Sequence, residues 1–273
     1  MGFSTSRVNH EEPVITTIRN LPSTNELLAS LPPVVASATQ ASLEIVDLAA
    51  GAVLYEAGTV LRHAYFPVTT VVSLVSPMLN GDSAEVAVVG REGVVGVCAF
   101  MGGGLALSSA IVQRSGLAWR IRARDISDLA RDNEALMQQL LRYTQSLFTQ
   151  MSQTSACSRH HALGERLCRW LLQHGDRQDG NEMQITQDRI AGLLGVRREG
   201  ITATALKLQQ AGLISYFRGR VLVLDRAGLE RHSCECYRVM QKASARLSNG
   251  APAWPVGARE QLGRYSENTR VPA

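Results

Sequence analysis

An arginine, a carboxylate and a hydroxyl share one face of a predicted helix, at Arg198, Glu199 and Thr202, with Gln209 further along. Side chains of these types can donate to, or accept from, the hydrogen-bonding edges of bases. The opposite face has mainly apolar residues at helical spacing: Ile201, Thr204, Ala205 and Leu208. The pattern predicts a helix that packs by one face and offers the other for recognition.

A shorter helix precedes this one, and a hairpin follows it. Thr186 is a suitable N-cap for the shorter helix, and Gly195 ends it. After the second helix, alternating apolar and polar residues surround Arg218-Gly219-Arg220, where the glycine suits a hairpin turn with two cations at its tip. The whole stretch therefore predicts a winged helix-turn-helix, which is a DNA-binding shape.

Composition and charge indicate an ordered protein with a polyanionic partner. Hydrophobic residues make up 45% of the chain and charged residues 19%, which is a globular composition. Residues 157–243 hold 14 basic and 9 acidic side chains, whereas residues 1–124 hold 8 and 9. Positive charge is thus concentrated around the predicted helix-turn-helix, as double-stranded DNA would favour.

Two features indicate a cytoplasmic protein without a membrane partner. The sequence has no run of about 18 apolar residues, and its start lacks a charged leader with an apolar core. The five cysteines are too few and too scattered for a disulfide framework, so we expect reduced thiols.

The first half of the chain predicts a flexible segment and then a β-domain. Residues 1–24 are polar and predicted to be flexible. Asn25 is positioned to cap a short helix that Pro32-Pro33 ends. Over the rest of residues 25–124, short β-branched runs alternate with glycine turns, which favours a β-sandwich or jelly-roll-like β-roll over βαβ units.

A long helix is predicted over residues 125–156. Its apolar residues recur at steps of three and four and form a narrow seam, whose members include Leu136, Leu140, Tyr143, Leu147 and Met151. A long, narrow seam is typical of a two-helix coiled coil, so we expect it to form a homodimer. Packing of the seam against the chain's own β-domain is the alternative.

The last part of the chain predicts a DNA-binding domain and a tail. The domain spans residues 157–240 and ends in a helix that Asp225 caps and that runs to about Met240. Residues 241–273 are rich in Gly, Pro, Ser and Arg, which predicts a disordered tail. The predicted fold class is therefore α+β, with an N-terminal β-roll, a long dimerisation helix and a C-terminal winged helix-turn-helix.

Residues 25–240 resemble the Crp/Fnr family of bacterial transcription regulators. The resemblance rests on the strand turn EAG at 56–58, on the long helix, and most of all on GVRRE at 195–199, a small-residue turn followed by an Arg-Glu pair. Members of this family are DNA-binding homodimers with a sensory β-roll. The resemblance implies that DNA, a second copy of the chain and RNA polymerase are partners.

The resemblance also implies roles for individual residues. By position, Arg198 resembles the family arginine that contacts a guanine, and Glu199 the glutamate that accepts from a cytosine amino group; groove chemistry supports both pairings. The family's best-known member has a second base-reading arginine where this chain has Ala203, so Thr202 is the third candidate. Phosphate contacts that set the register are expected from Gln187, Arg189, Arg197, Lys207, Arg218 and Arg220.

The sensory half departs from the family pattern for cyclic nucleotides. Members that bind them carry a Gly-Glu-Leu cassette and a later Arg-Ser or Arg-Ala pair, whereas this chain has Gly96-Val97-Cys98 and Ser108-Ser109. Without the arginine, a buried phosphate would lack a counter-charge. These five residues are the candidate pocket for an unidentified effector. The alternative function is a cyclic-nucleotide or cyclic-dinucleotide sensor whose main role is ligand binding.

The sequence predicts no cofactor, no metal site and no enzymatic activity. Nucleophile elbows, phosphate-binding loops and dinucleotide fingerprints do not occur in it. His232, Cys234 and Cys236 form one compact set of soft ligands, but a continuous helix would point Cys234 and Cys236 to different sides. We therefore expect this segment to be an ordinary helix end.

Overall fold

The structure is a computed structural model that describes residues 25–102 and 104–248. The predicted flexible segment 1–24, and the predicted tail from residue 249 onward, lie outside the described residues. Within them, a β-domain, a helical connection and a smaller α+β domain follow one another along the chain. This order of elements confirms the predicted fold class.

Seven strands form the N-terminal roll. Their bounds are β1 Glu44–Leu48, β2 Val53–Tyr55, β3 His63–Pro67, β4 Val71–Pro77, β5 Ser83–Val89, β6 Ser109–Arg114 and β7 Gly116–Arg122. They make two antiparallel sheets, one in the order β1-β7-β3 and the other in the order β2-β6-β4-β5. Phe66, Val72 and Ile121 are fully buried in the core that the roll shares with the helix behind it.

Two short helices precede the roll: α1 (Glu26–Ala29) and α2 (Pro33–Gln40). Asn25 caps the first, as expected, and its amide also donates to the carbonyls of Pro67 and Gly93 at 2.9 and 3.0 Å. Helix α2 was not predicted from the sequence. Pro33 begins this helix, because a proline in the first turn forfeits no helical hydrogen bond.

The helix predicted over residues 125–156 is two helices, α3 (Ala123–Asp132) and α4 (Glu134–His160). They are separated by Asn133, whose backbone is extended and whose side-chain oxygen accepts from the backbone N–H of Leu136 at 3.1 Å. That hydrogen bond is an N-cap, so it starts a new helix rather than continuing the old one.

The predicted dimer seam of α4 packs against the roll of the same subunit. Leu136, Leu140, Tyr143 and Leu147 are at most 4% exposed and belong to the core of the roll, while Met151 is half-buried against that core. The alternative of packing on the chain's own β-domain therefore describes this seam. This corrects the dimer assignment of the four buried residues, because they retain no surface for a partner helix.

Eight elements form the second domain. Their bounds are α5 Leu163–Gly175, β8 Glu182–Gln184, α6 Gln187–Leu194, α7 Arg198–Gln210, β9 Ile214–Phe217, β10 Arg220–Val223, α8 Arg226–His232 and α9 Cys236–Ser248. The strands form one antiparallel sheet in the order β8-β10-β9. In the described part of the chain, no helix combines the length and the apolar character needed to cross a membrane.

The C-terminal helix differs from its prediction in two ways. It is broken after His232, where the extended backbone of Ser233 ends α8. It also continues beyond Met240 as α9, which packs along α4 and reaches Ser248. Residues 241–248 are therefore helical and do not belong to a disordered tail.

Candidate nucleic-acid interface

The helix-turn-helix is built by short-range signals that hold α6 and α7 at a fixed angle. The Thr186 hydroxyl accepts from the backbone N–H of Arg189 at 3.2 Å and caps α6. Gly195 adopts a left-handed conformation with φ of 63°, which glycine allows at little cost and which turns the chain into α7. Ile190 and Ile201, one from each helix, are buried in the common core.

The outward face of α7 brings the three predicted base-reading residues together. Arg198, Glu199 and Thr202 are all exposed. The guanidinium of Arg198 lies 3.3 Å from a carboxylate oxygen of Asp188 on α6, but both side chains are more than 60% exposed. Such an exposed ion pair contributes little energy, so DNA can displace it.

Thr202 is held in place from α6. Its hydroxyl donates to the side-chain oxygen of Gln187 at 2.6 Å. Gln187, which was predicted to contact phosphate, thus contacts one of the three predicted base-reading residues. A further residue on this face, Leu206, is 53% exposed. Leu206 was not predicted to be a site residue, although an apolar side chain on a polar helix face could have indicated it. Its side chain is suited to contact with a thymine methyl group.

The wing presents one cation more freely than the other. A two-residue turn joins β9 to β10, and Arg218 and Gly219 both have positive φ, 47° and 76°, as a type I′ hairpin turn requires. The guanidinium of Arg218 lies 5.0 Å from the centre of the Phe217 ring and is exposed. Arg220 instead pairs with Glu182, at 3.3 Å.

The other cations predicted to contact phosphate also differ in whether they have a partner within the protein. Arg197 and Lys207 are exposed at the start and in the last turn of α7. Arg189 is exposed too, but its Nε donates to the side-chain oxygen of Gln113 on β6 at 3.3 Å. Arg189 therefore touches the roll as well as facing solvent.

A buried polar cluster joins the roll to the DNA-binding domain. Glu85 on β5 accepts a hydrogen bond from Ser73 on β4, and its oxygens lie 3.1 and 3.2 Å from Nε2 of His174 on α5. Burial by itself would raise the pKa of Glu85, but His174, Ser73 and the nearby Arg169 outweigh it and hold that pKa below its usual value. The cluster therefore links α5 to two strands of the roll.

A second ion pair reinforces this junction. Nε of Arg177, just after α5, lies 2.7 Å from a carboxylate oxygen of Glu92 in the roll, and both side chains are largely buried. Burial opposes the charged guanidinium, but Glu92 outweighs burial and raises the pKa of Arg177. A cavity of about 520 Å³ lies between the two domains beside this junction and is lined by residues of both, including Arg114 and Trp170.

The predicted effector residues lie in two segments of the roll. Gly96, Val97 and Cys98 enter a single 3-10 turn, while Ser108 is buried before β6 and Ser109 accepts from the backbone N–H of Ala57 at 3.0 Å. Tyr55 on β2 pairs with Ala110, which follows Ser109 on β6. Burial raises the pKa of its phenol well above the usual value, while a hydrogen bond with the backbone of Gly96 acts in the opposite direction.

Comparison with known proteins supports this architecture. A model of the cyclic nucleotide-binding domain matches residues 45–133, and a model of the Crp-like helix-turn-helix domain matches residues 165–232. Together they cover more than half of the chain. No curated protein sequence matches it.

Solved structures of low sequence identity share the fold. FixK2 from Bradyrhizobium japonicum is 14% identical, with a TM-score of 0.61, and the match covers 70% of this chain and 98% of that chain. A CRP/FNR-family transcriptional regulator from Thermus thermophilus is 20% identical, with a TM-score of 0.57 and coverages of 70% and 98%.

A third similar structure is the c-di-GMP-responsive global regulator CLP from Xanthomonas campestris. It is 13% identical, with a TM-score of 0.58, and the match covers 71% of this chain and 100% of that chain. With both domain models matched in the family's order, the chain belongs to the Crp/Fnr family and is a DNA-binding transcription regulator with a cyclic-nucleotide-binding domain and a Crp-like helix-turn-helix.

Proposed function

We propose that the protein binds a near-palindromic DNA site as a homodimer and responds to an effector in its roll. Two copies of α7 enter major grooves about 34 Å apart, one turn of DNA. Arg198, Glu199 and Thr202 specify bases. The phosphate contacts come from Gln187, Arg189, Arg197, Lys207, Arg218 and Arg220. The observation that carries this proposal is the exposed polar face of α7 beside the exposed wing cation, with the opposite face of α7 buried.

The proposal divides the chain by role. Residues 25–124 form the sensory roll, residues 125–156, which α3 and α4 share, form the dimerisation segment, and residues 157–240 with the rest of α9 form the DNA-binding domain. Because Glu85 and Glu92 of the roll hold the end of α5, a change in the roll has a direct route to the orientation of α7. RNA polymerase is a further proposed partner, by analogy with the family.

The outward face of α4 is the proposed dimer contact. Its exposed residues are spaced alternately by four and three, at Glu134, Gln138, Leu141, Gln145, Phe148, Ser152, Ser155 and Arg159. This is the spacing of the a and d positions of a coiled coil, and two of the eight residues, Leu141 and Phe148, are apolar. Leu141 is 49% exposed and Phe148 48%, and the half-buried Met151 borders them. Two such faces from two copies would bury each other's apolar residues.

Leu141→Glu is expected to convert the dimer to a monomer, because it places two carboxylates opposite each other in the helix pair. Sedimentation velocity at micromolar concentration measures the change. Leu107→Glu is the matched control, since Leu107 is 74% exposed on the roll and lies outside the α4 face. A wild-type protein that sediments as a monomer would contradict the dimer, and a dimeric Leu141→Glu variant would contradict this contact face.

The roll is proposed to sense something other than a cyclic mononucleotide held by a Glu/Arg cassette. Gly96, Val97, Cys98, Ser108 and Ser109 offer no charged group to a ribose or a phosphate. Cyclic AMP and cyclic GMP are therefore expected to leave the melting temperature unchanged, because only a ligand that binds the folded state stabilises it. Cyclic di-GMP belongs in the same assay, since CLP responds to it. Stabilisation by a mononucleotide would contradict this assignment.

Selection of bound sites from random DNA with the purified protein tests the function as a whole. The expected outcome is one motif with two inverted half-sites whose centres are about one helical turn, ~34 Å, apart. Recovery of a single asymmetric half-site would contradict dimeric recognition. Failure to enrich any motif would contradict sequence-specific binding.

A further inference from the structure

Four potential metal ligands from two distant segments of the chain meet where the end of α4 packs against the start of α9. Cys157 lies in the last turn of α4 and His161 directly follows that helix, while Cys234 lies between α8 and α9 and Cys236 is the first residue of α9. Their ligand atoms are all within 4.8 Å of one another. Sγ of Cys157 is 3.5 Å from Sγ of Cys234, and Sγ of Cys236 is 3.5 Å from Nδ1 of His161. We call these four residues the Cys–His cluster.

The local structure explains how the cluster forms. Cys157 and His161 are four residues apart near the end of α4, so they share one side of it. Cys234 and Cys236 were expected to diverge on a continuous helix, but the helix is broken between them and α9 begins only at Cys236. The break removes the argument against a shared site. His232 is not a member, since its Nδ1 bonds to the carbonyl oxygen of Gly228 at 2.8 Å.

The distances in the Cys–His cluster fit a tetrahedral zinc ion. Zn–S bonds of about 2.3 Å and Zn–N bonds of about 2.0–2.1 Å place neighbouring ligand atoms roughly 3.5–3.8 Å apart. Two separations, Cys157–Cys234 and Cys236–His161, are 3.5 Å, and every other separation in the cluster is at most 4.8 Å. The three thiols are almost fully buried, so the cluster is closed to solvent on the cysteine side.

Surrounding side chains complete the arrangement. Nε2 of His161 lies 3.2 Å from a carboxylate oxygen of Glu235, which is the outer partner that a zinc-bound histidine normally has. The amide of Gln153 donates to Sγ of Cys236 at 3.1 Å.

We propose that Cys157, His161, Cys234 and Cys236 bind one structural Zn²⁺ ion. Three thiols lose their protons on binding, and the neutral imidazole supplies the fourth ligand. A closed site with four protein ligands leaves no position for a substrate, so its role is to hold the structure together. The ion pins the end of α4 to the segment between α8 and α9.

The site has a direct link to the helix-turn-helix. Arg166 on α5 lies near Cys157, and its Nη2 donates to the carbonyl oxygen of Leu194, the last residue of α6, at 2.6 Å. Zinc binding therefore orders the connection between the proposed dimer helix and the DNA-reading helices. Metal binding by these four residues does not depend on the DNA target or on the effector.

Metal analysis of the full-length protein, purified without a metal-affinity tag, tests the proposal. The expected result is about one zinc per chain, with less than about a tenth of that in Cys157→Ser and Cys236→Ser. Cys98→Ser is the matched control, because Cys98 lies in the roll outside the cluster, and it should retain the full amount. A strong chelator should lower the melting temperature, and zinc should restore it.

Wild-type protein allows the proposal to be overturned even if the variants fail to fold. Cobalt added to chelated wild-type protein should give the visible absorption of tetrahedral cobalt with thiolate ligands, and zinc should abolish it. Wild-type protein that carries no zinc and takes up no cobalt would overturn the proposal. Stoichiometric iron, or a Cys157–Cys234 disulfide found by mass spectrometry of freshly purified protein, would overturn it as well.

Discussion

Glu85→Ala is expected to lower the free energy of unfolding by about 3 kcal/mol at neutral pH. The Glu85 carboxylate is buried, accepts from Ser73 and lies 3.1 Å from Nε2 of His174. Its removal leaves a hydroxyl and an imidazole in the interior without this partner. Urea unfolding followed by tryptophan fluorescence measures the loss, because Trp170 stacks on His174 with ring centres 3.9 Å apart.

The pH dependence of the same site separates charge from shape. The folded-state pKa of Glu85 is lowered, so its stabilisation is complete above the unfolded carboxyl pKa of about 4.3 and is lost as pH falls through the folded value. Glu85→Gln keeps the shape of the side chain without its charge. The difference in unfolding free energy between this variant and wild type should therefore become smaller as the pH falls through that range.

Glu56→Gln is the control for Glu85, because Glu56 is exposed in the same roll. It should leave unfolding at neutral pH unchanged within about 0.5 kcal/mol. If Glu85→Ala unfolds at the same urea concentration as Glu56→Gln, the polar junction contributes nothing to stability and the proposed coupling route through it is wrong.

Arg198→Ala is expected to weaken binding to the selected DNA site by about 1–3 kcal/mol and to relax discrimination at one base pair in each half-site. A guanidinium can donate two hydrogen bonds to a guanine edge. In the protein without DNA, the exposed ion pair between Arg198 and Asp188 stabilises the side chain only slightly, so little is lost when DNA replaces it. Fluorescence anisotropy with the selected site and with a site altered at that base pair measures both effects.

Arg218→Ala provides the matched comparison. This wing cation is exposed and has no carboxylate partner within the described residues, so its removal should weaken binding to all sequences alike and reduce the salt dependence by about one counterion. Arg220→Ala should have a smaller effect, since Glu182 already neutralises that side chain in part. Equal losses on selected and random DNA for Arg198→Ala would contradict base reading.

Much of the fold was predicted from signals of one or two residues in the sequence. Helix α6 begins after Thr186 and ends before Gly195, as expected, and the Arg218-Gly219 turn joins two short strands. These features depend on one or two residues and their own backbone, so a sequence displays them directly. The break at Asn133 was equally local, since an asparagine followed by glutamate is a helix start, but the apolar periodicity across it concealed the signal.

Periodicity failed where one helix has two apolar faces. In α4, one stripe contains Leu136 and Leu140, and another contains Leu141 and Phe148. Both follow steps of three and four residues, so the spacing cannot show which stripe meets the roll. The structure decides, because it buries the first stripe in the subunit and leaves the second exposed.

The sequence by itself determined that residues 185–224 make a DNA-reading winged helix-turn-helix, with Arg198, Glu199 and Thr202 on one helix face, because caps, turns and helical faces follow from neighbouring residues. Only the tertiary structure decided which face of α4 is free and that Cys157 lies against Cys234, 77 residues further along the chain. Contacts of that kind depend on how helices pack, and a helix break as small as residues 233–235 redirects the side chains on either side of it.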